Sequence, residues 1–302
     1  MKAKAPYTTF LFALAAAVIL VIGCSSYKAR NEMDEGKNLY RQGNFSAAAE
    51  HFKAAAALDD NLVAAKLNLA TAYRMNYEGL GTDAPGNTQF GQQAFDVYQK
   101  VLEKDPRNMD ALKGIACTAM DMKKFDQAVD FRKKILALDA ADPESYLWVA
   151  VVDWAAVDED LRAQKVKLGL GPDDPFRGTE NDRQVCEQTR SADGPRVAEG
   201  ISMLQTAIAK RPEYDDAMVF MTLLFWQKID MQCGDMKAWD QYRRLSETWI
   251  DQGIAARKRK IENAYKPKSE KDLAQDKSDI LWAGCLQPNP VQPTQTAQQQ
   301  PK

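Results

Sequence analysis

A spacing of 34 residues recurs along this chain of 302, and it limits the possible folds more than any other feature. Ala94, Phe95 and Tyr98 precede Val101 and the pair Asp105-Pro106. Thirty-four residues beyond Ala94 stands Ala128, followed by Ile135, with Ala140 in the slot of Pro106. Ala48 with Phe52 and Ala55, and Gly200 with Leu204 and Ala207, repeat the arrangement. The interval from Ala48 to Ala94 exceeds the period by 12, and that from Ala128 to Gly200 by 38. The surplus coincides with residues 78–89 and 158–195, both rich in Gly, Pro and turn formers, so these stretches are expected to be inserted loops. A fixed period of this length means one supersecondary unit stacked in a row, each burying its apolar face on its neighbours.

Each unit reads as a pair of helices. Helix formers dominate and no run alternates in the manner of a strand. Small residues recur in the first helix at Gly36, Ala70, Ala116 and Ala150, with Thr222 in the fifth unit. A second small position falls at Ala65, Ala111, Ser145 and Ala217. Small side chains let two helices approach closely, while Phe52, Tyr98 and Leu204 fill the space between pairs. The pattern resembles the tetratricopeptide repeat. That resemblance implies an all-α fold, a right-handed α-α superhelix of about five helical hairpins with the two insertions between first and second helices. The units run 29–62, 63–108, 109–142, 143–214 and 215–250, and the repeat domain as a whole 29–264. The chain departs from the pattern in lacking an exit proline after the first unit. It also carries Arg132 where a large apolar residue is expected, and its fifth unit is degenerate. Residues 265–286, with Leu273, Ile280, Leu281 and Trp282, are expected to cap the stack. Residues 287–302, with six Gln and four Pro, cannot offset the entropy of ordering and are expected to be disordered.

At the other end, Lys2 and Lys4 precede thirteen apolar residues from Phe10 to Ile22. A helix of that length spans about 20 Å, short of the roughly 30 Å hydrocarbon core. A positive start and a short apolar segment describe an export signal, residues 1–23. It ends Val-Ile-Gly-Cys, which resembles the lipobox of bacterial lipoproteins. The resemblance implies that Cys24 becomes the lipidated N-terminus, followed by a short linker over 24–28. Two or more acyl chains give stable anchoring. Ser25, rather than an aspartate, follows the cysteine, which implies an outer-membrane address facing the periplasm.

Lys and Arg number 40 against 42 Asp and Glu, a balance that argues against nucleic acid as a partner. The single histidine, His51, sits in an alanine-rich helical run with no Cys or second His nearby, so no metal and no cofactor is expected. Paired acids such as Asp59-Asp60, Asp173-Asp174 and Asp215-Asp216 are expected at helix starts or in loops, as N-caps and dipole partners. The basic run Arg257 to Lys260 reads as a solvated helix face, with anionic headgroups or peptidoglycan as its functional alternative. No catalytic constellation is visible, and the chain is expected not to be an enzyme. A cell-wall glycan hydrolase using the long insertion as a lid is the competing class, and a structural envelope protein a third.

Partner binding is expected four residues past each small slot of the first helices, at Tyr40, Arg74, Met120, Trp154 and Trp226. In repeats of this kind those positions would point into the concave groove, and aromatics, Met and Arg are what interfaces enrich. The role expected is a membrane-anchored periplasmic scaffold that binds protein partners in the cell envelope and assists assembly there. An oxidising compartment pairs cysteines. Cys186, in the second insertion, and Cys233, in the turn of the next unit, lie on the same edge and are the expected disulfide. Cys285 is the rival partner and Cys117 is expected to stay free.

Overall fold

The computed structural model describes residues 25–77, 85–172, 174–176 and 178–264. Residues up to Ile261 form one compact unit, described here by itself; of the second unit, which starts at Glu262, only the last helical turn is described. The described residues are all-α. The elements are α1 (25–41), α2 (Phe45–Leu58), α3 (Val63–Asn76), α4 (Pro85–Lys104), α5 (Met109–Asp121), α6 (Phe125–Leu138), α7 (Pro143–Lys167), α8 (Glu180–Lys210), α9 (Asp215–Asp230) and α10 (Met236–Ala264). Neighbouring helices pack in sequence from α2 to α9, with α3 also touching α5 and α7 touching α9; Gly36 of α1 meets Phe52 of α2 and Phe225 of α9 stacks on Tyr242 of α10, which completes five hairpins.

Local chemistry starts the helices where the sequence places them. Asn44, Asn108, Asp142 and Thr179 each accept a hydrogen bond from a first-turn backbone N–H, and Pro143 follows its cap at the first helical position. Gly43 turns the chain between α1 and α2 at φ +77°. In the corresponding turn of the third hairpin Lys123 holds φ 56°, the left-handed conformation that glycine adopts at lower cost.

The small slots are buried, and they are small for a steric reason. A Cβ added at Gly36 would stand 2.6 Å from the Phe52 ring, and one at Gly200 2.9 Å from Leu224. Tyr98 fills its gap between hairpins and bonds Thr71 Oγ1 through its hydroxyl at 2.8 Å; burial pushes that phenol up to about 12. Arg132, anomalous for its slot, is 4 % exposed. It stacks on Trp148, 4.8 Å from the ring centroid, and donates to Cys117 Sγ at 3.1 Å. Aromatic stacking lets a guanidinium replace an apolar side chain there. Burial nonetheless lowers its pKa to about 10, with Glu144 opposing.

The two insertions depart from expectation. Residues 85–89 are the first turn of α4, while 78–84 lie outside the described residues. Residues 158–195 are mostly helical: α7 runs on to Lys167 and α8 starts at Glu180, so the loop shrinks to 168–179. Pro195 lies inside α8. Its missing N–H and ring clash cost a helix interior about 3 kcal/mol. Burial of Cys186, Thr189, Val197 and Gly200 along the same helix offsets that local penalty. The signal segment, Cys24, the cap over 265–286 and the tail over 287–302 lie outside the described residues. Among the described residues no helix is long and apolar enough to cross a membrane.

Candidate binding surface

The five groove positions fall into two clusters. In the N-terminal one, Tyr40 packs edge-on against Phe45 at 5.1 Å, and burial raises its hydroxyl pKa against the pull of Arg74. Arg74 Nε donates to Asp121 Oδ2 at 2.6 Å, joining α3 to α5. Burial holds the Asp121 carboxyl above its usual range even so, with Arg74 pulling the other way. Met120, next to Asp121, is 5 % exposed and belongs to the core. This half of the line is a half-buried polar seam. Arg74 spends its charge inside the protein, and Met120 offers a partner almost no surface.

The C-terminal cluster is aromatic and open. Trp154 on α7 meets Phe220 on α9 edge to face at 5.6 Å. Gln227 Nε2 donates to the Trp154 carbonyl at 2.9 Å, which locks α9 onto α7. Trp226, the neighbour of Gln227, is 46 % exposed. Asp121 and Gln227 were missed in the sequence, although each directly follows one of the expected groove positions.

A second feature was also missed. Val219, Thr222 and Leu223 of α9 and Trp249, Ile250, Gly253, Ile254 and Arg257 of α10 line an apolar cleft of about 160 Å³. Along α10, Trp239, Tyr242, Ser246, Trp249, Gly253 and Ala256 recur at three- and four-residue steps, the spacing of one helix face, and Ser246, Gly253 and Ala256 on it are buried. Ile250, Ile254 and Ile261 fall outside that stripe and stand exposed, Ile254 at 63 %. This surplus of apolar positions was the available signal. Trp226 and Val219 are the other exposed apolar residues on α9.

The remaining candidates are accounted for by structure. His51 contacts Glu32 at 2.7 Å on the α1–α2 surface. Among the described residues no group of three or more ligating side chains could hold a metal ion. Of the basic run, Arg257 pairs with Asp215 and Asp216, Arg259 with Glu213 and Lys260 with Asp215, so these cations are turned toward α9 and its entry turn. Cys186 and Cys233 are joined in a disulfide, Cα to Cα 5.5 Å, which ties the start of α8 to the α9–α10 turn. Cys117, expected free, is disulfide-bonded.

The comparisons fit this architecture. The family model of the coatomer epsilon subunit matches residues 41–167. A search of curated proteins finds no match. Among solved structures, a double mutant of MamA RS-1 superposes with TM-score 0.50 at 14% identity, covering 77% of this chain and 96% of that one. MamA from Desulfovibrio magneticus RS-1 gives TM-score 0.49 at 14% identity over 80% of this chain and 98% of its own. YrrB, described as a TPR protein with an unusual peptide-binding site, gives 0.43 at 12% identity over 82% and 90%. Identities this low speak to the fold alone. The stacked hairpins with their small slots buried give the described chain a tetratricopeptide-type fold, and the superposition on the MamA double mutant agrees with it.

Proposed function

We propose that this chain is a lipid-anchored scaffold of the bacterial envelope that binds protein partners through the C-terminal end of its repeat stack. The observation that carries the reading is the apolar surface of α9 and α10, where exposed Val219, Ile250 and Ile254 line a cleft and Trp226, further along α9, is exposed as well. Contiguous exposed apolar surface rimmed by polar residues marks interaction sites, and tryptophan is the residue most enriched among binding hot spots. Arg257 supplies part of the polar rim.

The address rests on Val21-Ile22-Gly23-Cys24 closing a short apolar segment behind two lysines. A disulfide between Cys186 and Cys233 suits the oxidising periplasm that such a leader implies. Helices in place of the long loop weigh against the hydrolase alternative. A hairpin packed on its neighbours is no mobile lid, and Asp153, an acid whose pKa burial raises, is shut away from a glycan.

A photoreactive residue placed at position 226 in intact cells tests the reading against one at Glu50, on the exposed face of α2. Adducts to a discrete protein from position 226 and none from position 50 support it. Trp226→Ala should weaken the purified complex by about 2 kcal/mol, the scale of a hot spot. Equal labelling from both positions would refute it.

A further inference from the structure

The seam between α7 and α8 carries more acid than base. Asp126 and Lys133 face it from α6, Asp153 and Asp160 from α7, and Asp193, Arg196 and Glu199 from α8. Arg196 bridges three helices: Nη2 donates to Asp126 Oδ1 at 2.6 Å and Nη1 reaches Asp153 Oδ1 at 3.4 Å. Lys133 pairs with Glu199 at 2.6 Å. Asp160, whose Oδ1 accepts from Gln164 Nε2 at 3.1 Å, is also hydrogen-bonded to Asp193, with Arg196 nearby. Two carboxyl groups form that bond only when one holds a proton.

Asp153 is 1 % exposed, and its Oδ2 accepts no hydrogen bond; the buried Oδ2 of Asp193 accepts none either. Although Arg196 reaches the other oxygen of Asp153, a buried carboxylate oxygen without a donor is costly, and a neutral acid there is cheaper. The seam also crosses a weak point, because Pro195 cannot donate to the Ser191 carbonyl. On the far side of Pro195, the Cys186–Cys233 bond holds the start of α8 in place.

We propose that this seam is a proton-operated latch: a proton on Asp153 and one on Asp193 keep α7 and α8 zipped, and their loss loosens α8 around Pro195. The disulfide retains the distal end, so the helix hinges rather than frays. Burial, reinforced by Glu199, pushes the Asp153 carboxyl up to about 7. Burial and the hydrogen bond with Asp160 raise Asp193 to about 6. Both hold protons more tightly folded than unfolded. Their stabilisation is therefore complete below about pH 4 and is lost as pH rises through 6 to 7. Trp154 follows Asp153 on α7, so the state of the latch is next to the aromatic contact with α9.

The test is denaturant unfolding of the full mature chain at pH 5 and pH 7. Each retained proton raises the unfolding constant by up to about tenfold per pH unit in this window, so a rise of at least about tenfold is expected. Asp153→Asn should remove most of that rise and Asp193→Asn a smaller part. His51→Gln, which deletes the sole imidazole, should leave it intact. Should Asp153→Asn fail to fold, carboxyl carbon NMR of the wild-type chain reads the same groups, with two resonances titrating near 6 and 7. An unfolding constant that is flat between pH 5 and pH 7 overturns the latch. So does one that rises equally in the Asp193→Asn chain, or an aspartate spectrum with nothing titrating above pH 5.

Discussion

Replacing both Cys186 and Cys233 by alanine removes a cross-link spanning 47 residues. The chain-entropy relation assigns a loop of that length about 4 kcal/mol of stabilisation, through restriction of the unfolded ensemble. For a chain of this size 1 kcal/mol moves Tm by about 2–4 °C, so the expected drop is about 8–16 °C if unfolding is one transition. A stack of hairpins departs from that limit, because each hairpin contacts only its neighbours and stability propagates along the row. The covalent loop encloses most of α8, all of α9 and the α9–α10 turn. The loss should therefore concentrate there. Amide exchange should rise several hundred-fold in α8 and α9, since 4 kcal/mol is about three powers of ten, and little in α1 to α4. The double variant is the right comparison and a reductant is not, because Cys117 is disulfide-bonded as well. A loss below about 1 kcal/mol, or one spread evenly over the chain, would refute the reasoning that this bridge limits the entropy of the C-terminal hairpins.

Gly36→Ala should destabilise the first hairpin by about 1–3 kcal/mol, because the new methyl overlaps the Phe52 ring and Phe52 is walled in. Thermal unfolding checks it, and an unchanged midpoint would show that the ring can yield. Cys24→Ala should abolish lipid attachment and leave the protein soluble or as a precursor; intact-mass analysis showing an unmodified Cys24 in the wild-type chain would contradict the anchor. Loss of partner labelling at position 226 and flattening of the pH response in Asp153→Asn complete the set.

The sequence by itself determined the row of hairpins. Close approaches and the 34-residue register depend on neighbours within a few turns, and those leave marks at fixed slots: Gly36 under Phe52, Ala70 and Ala116 at the crossings. The edge shared by Cys186 and Cys233 was legible for the same reason, since register alone puts both at one end of adjacent hairpins. What the tertiary structure decided is everything that sets a local preference against a distant contact. Gly194-Pro195 reads as a breaker, yet packing on α7 keeps α8 helical through it. Met120 and Trp226 occupy the same slot of the repeat, but one is sealed by neighbours and the other, near the end of the stack, is open. Arg74 resembles a ligand-binding cation until Asp121, 47 residues away, is seen to hold it. The raised pKa values of Asp153 and Asp193 come from burial beside other carboxyls, a cost set by low dielectric and by groups that share no local sequence.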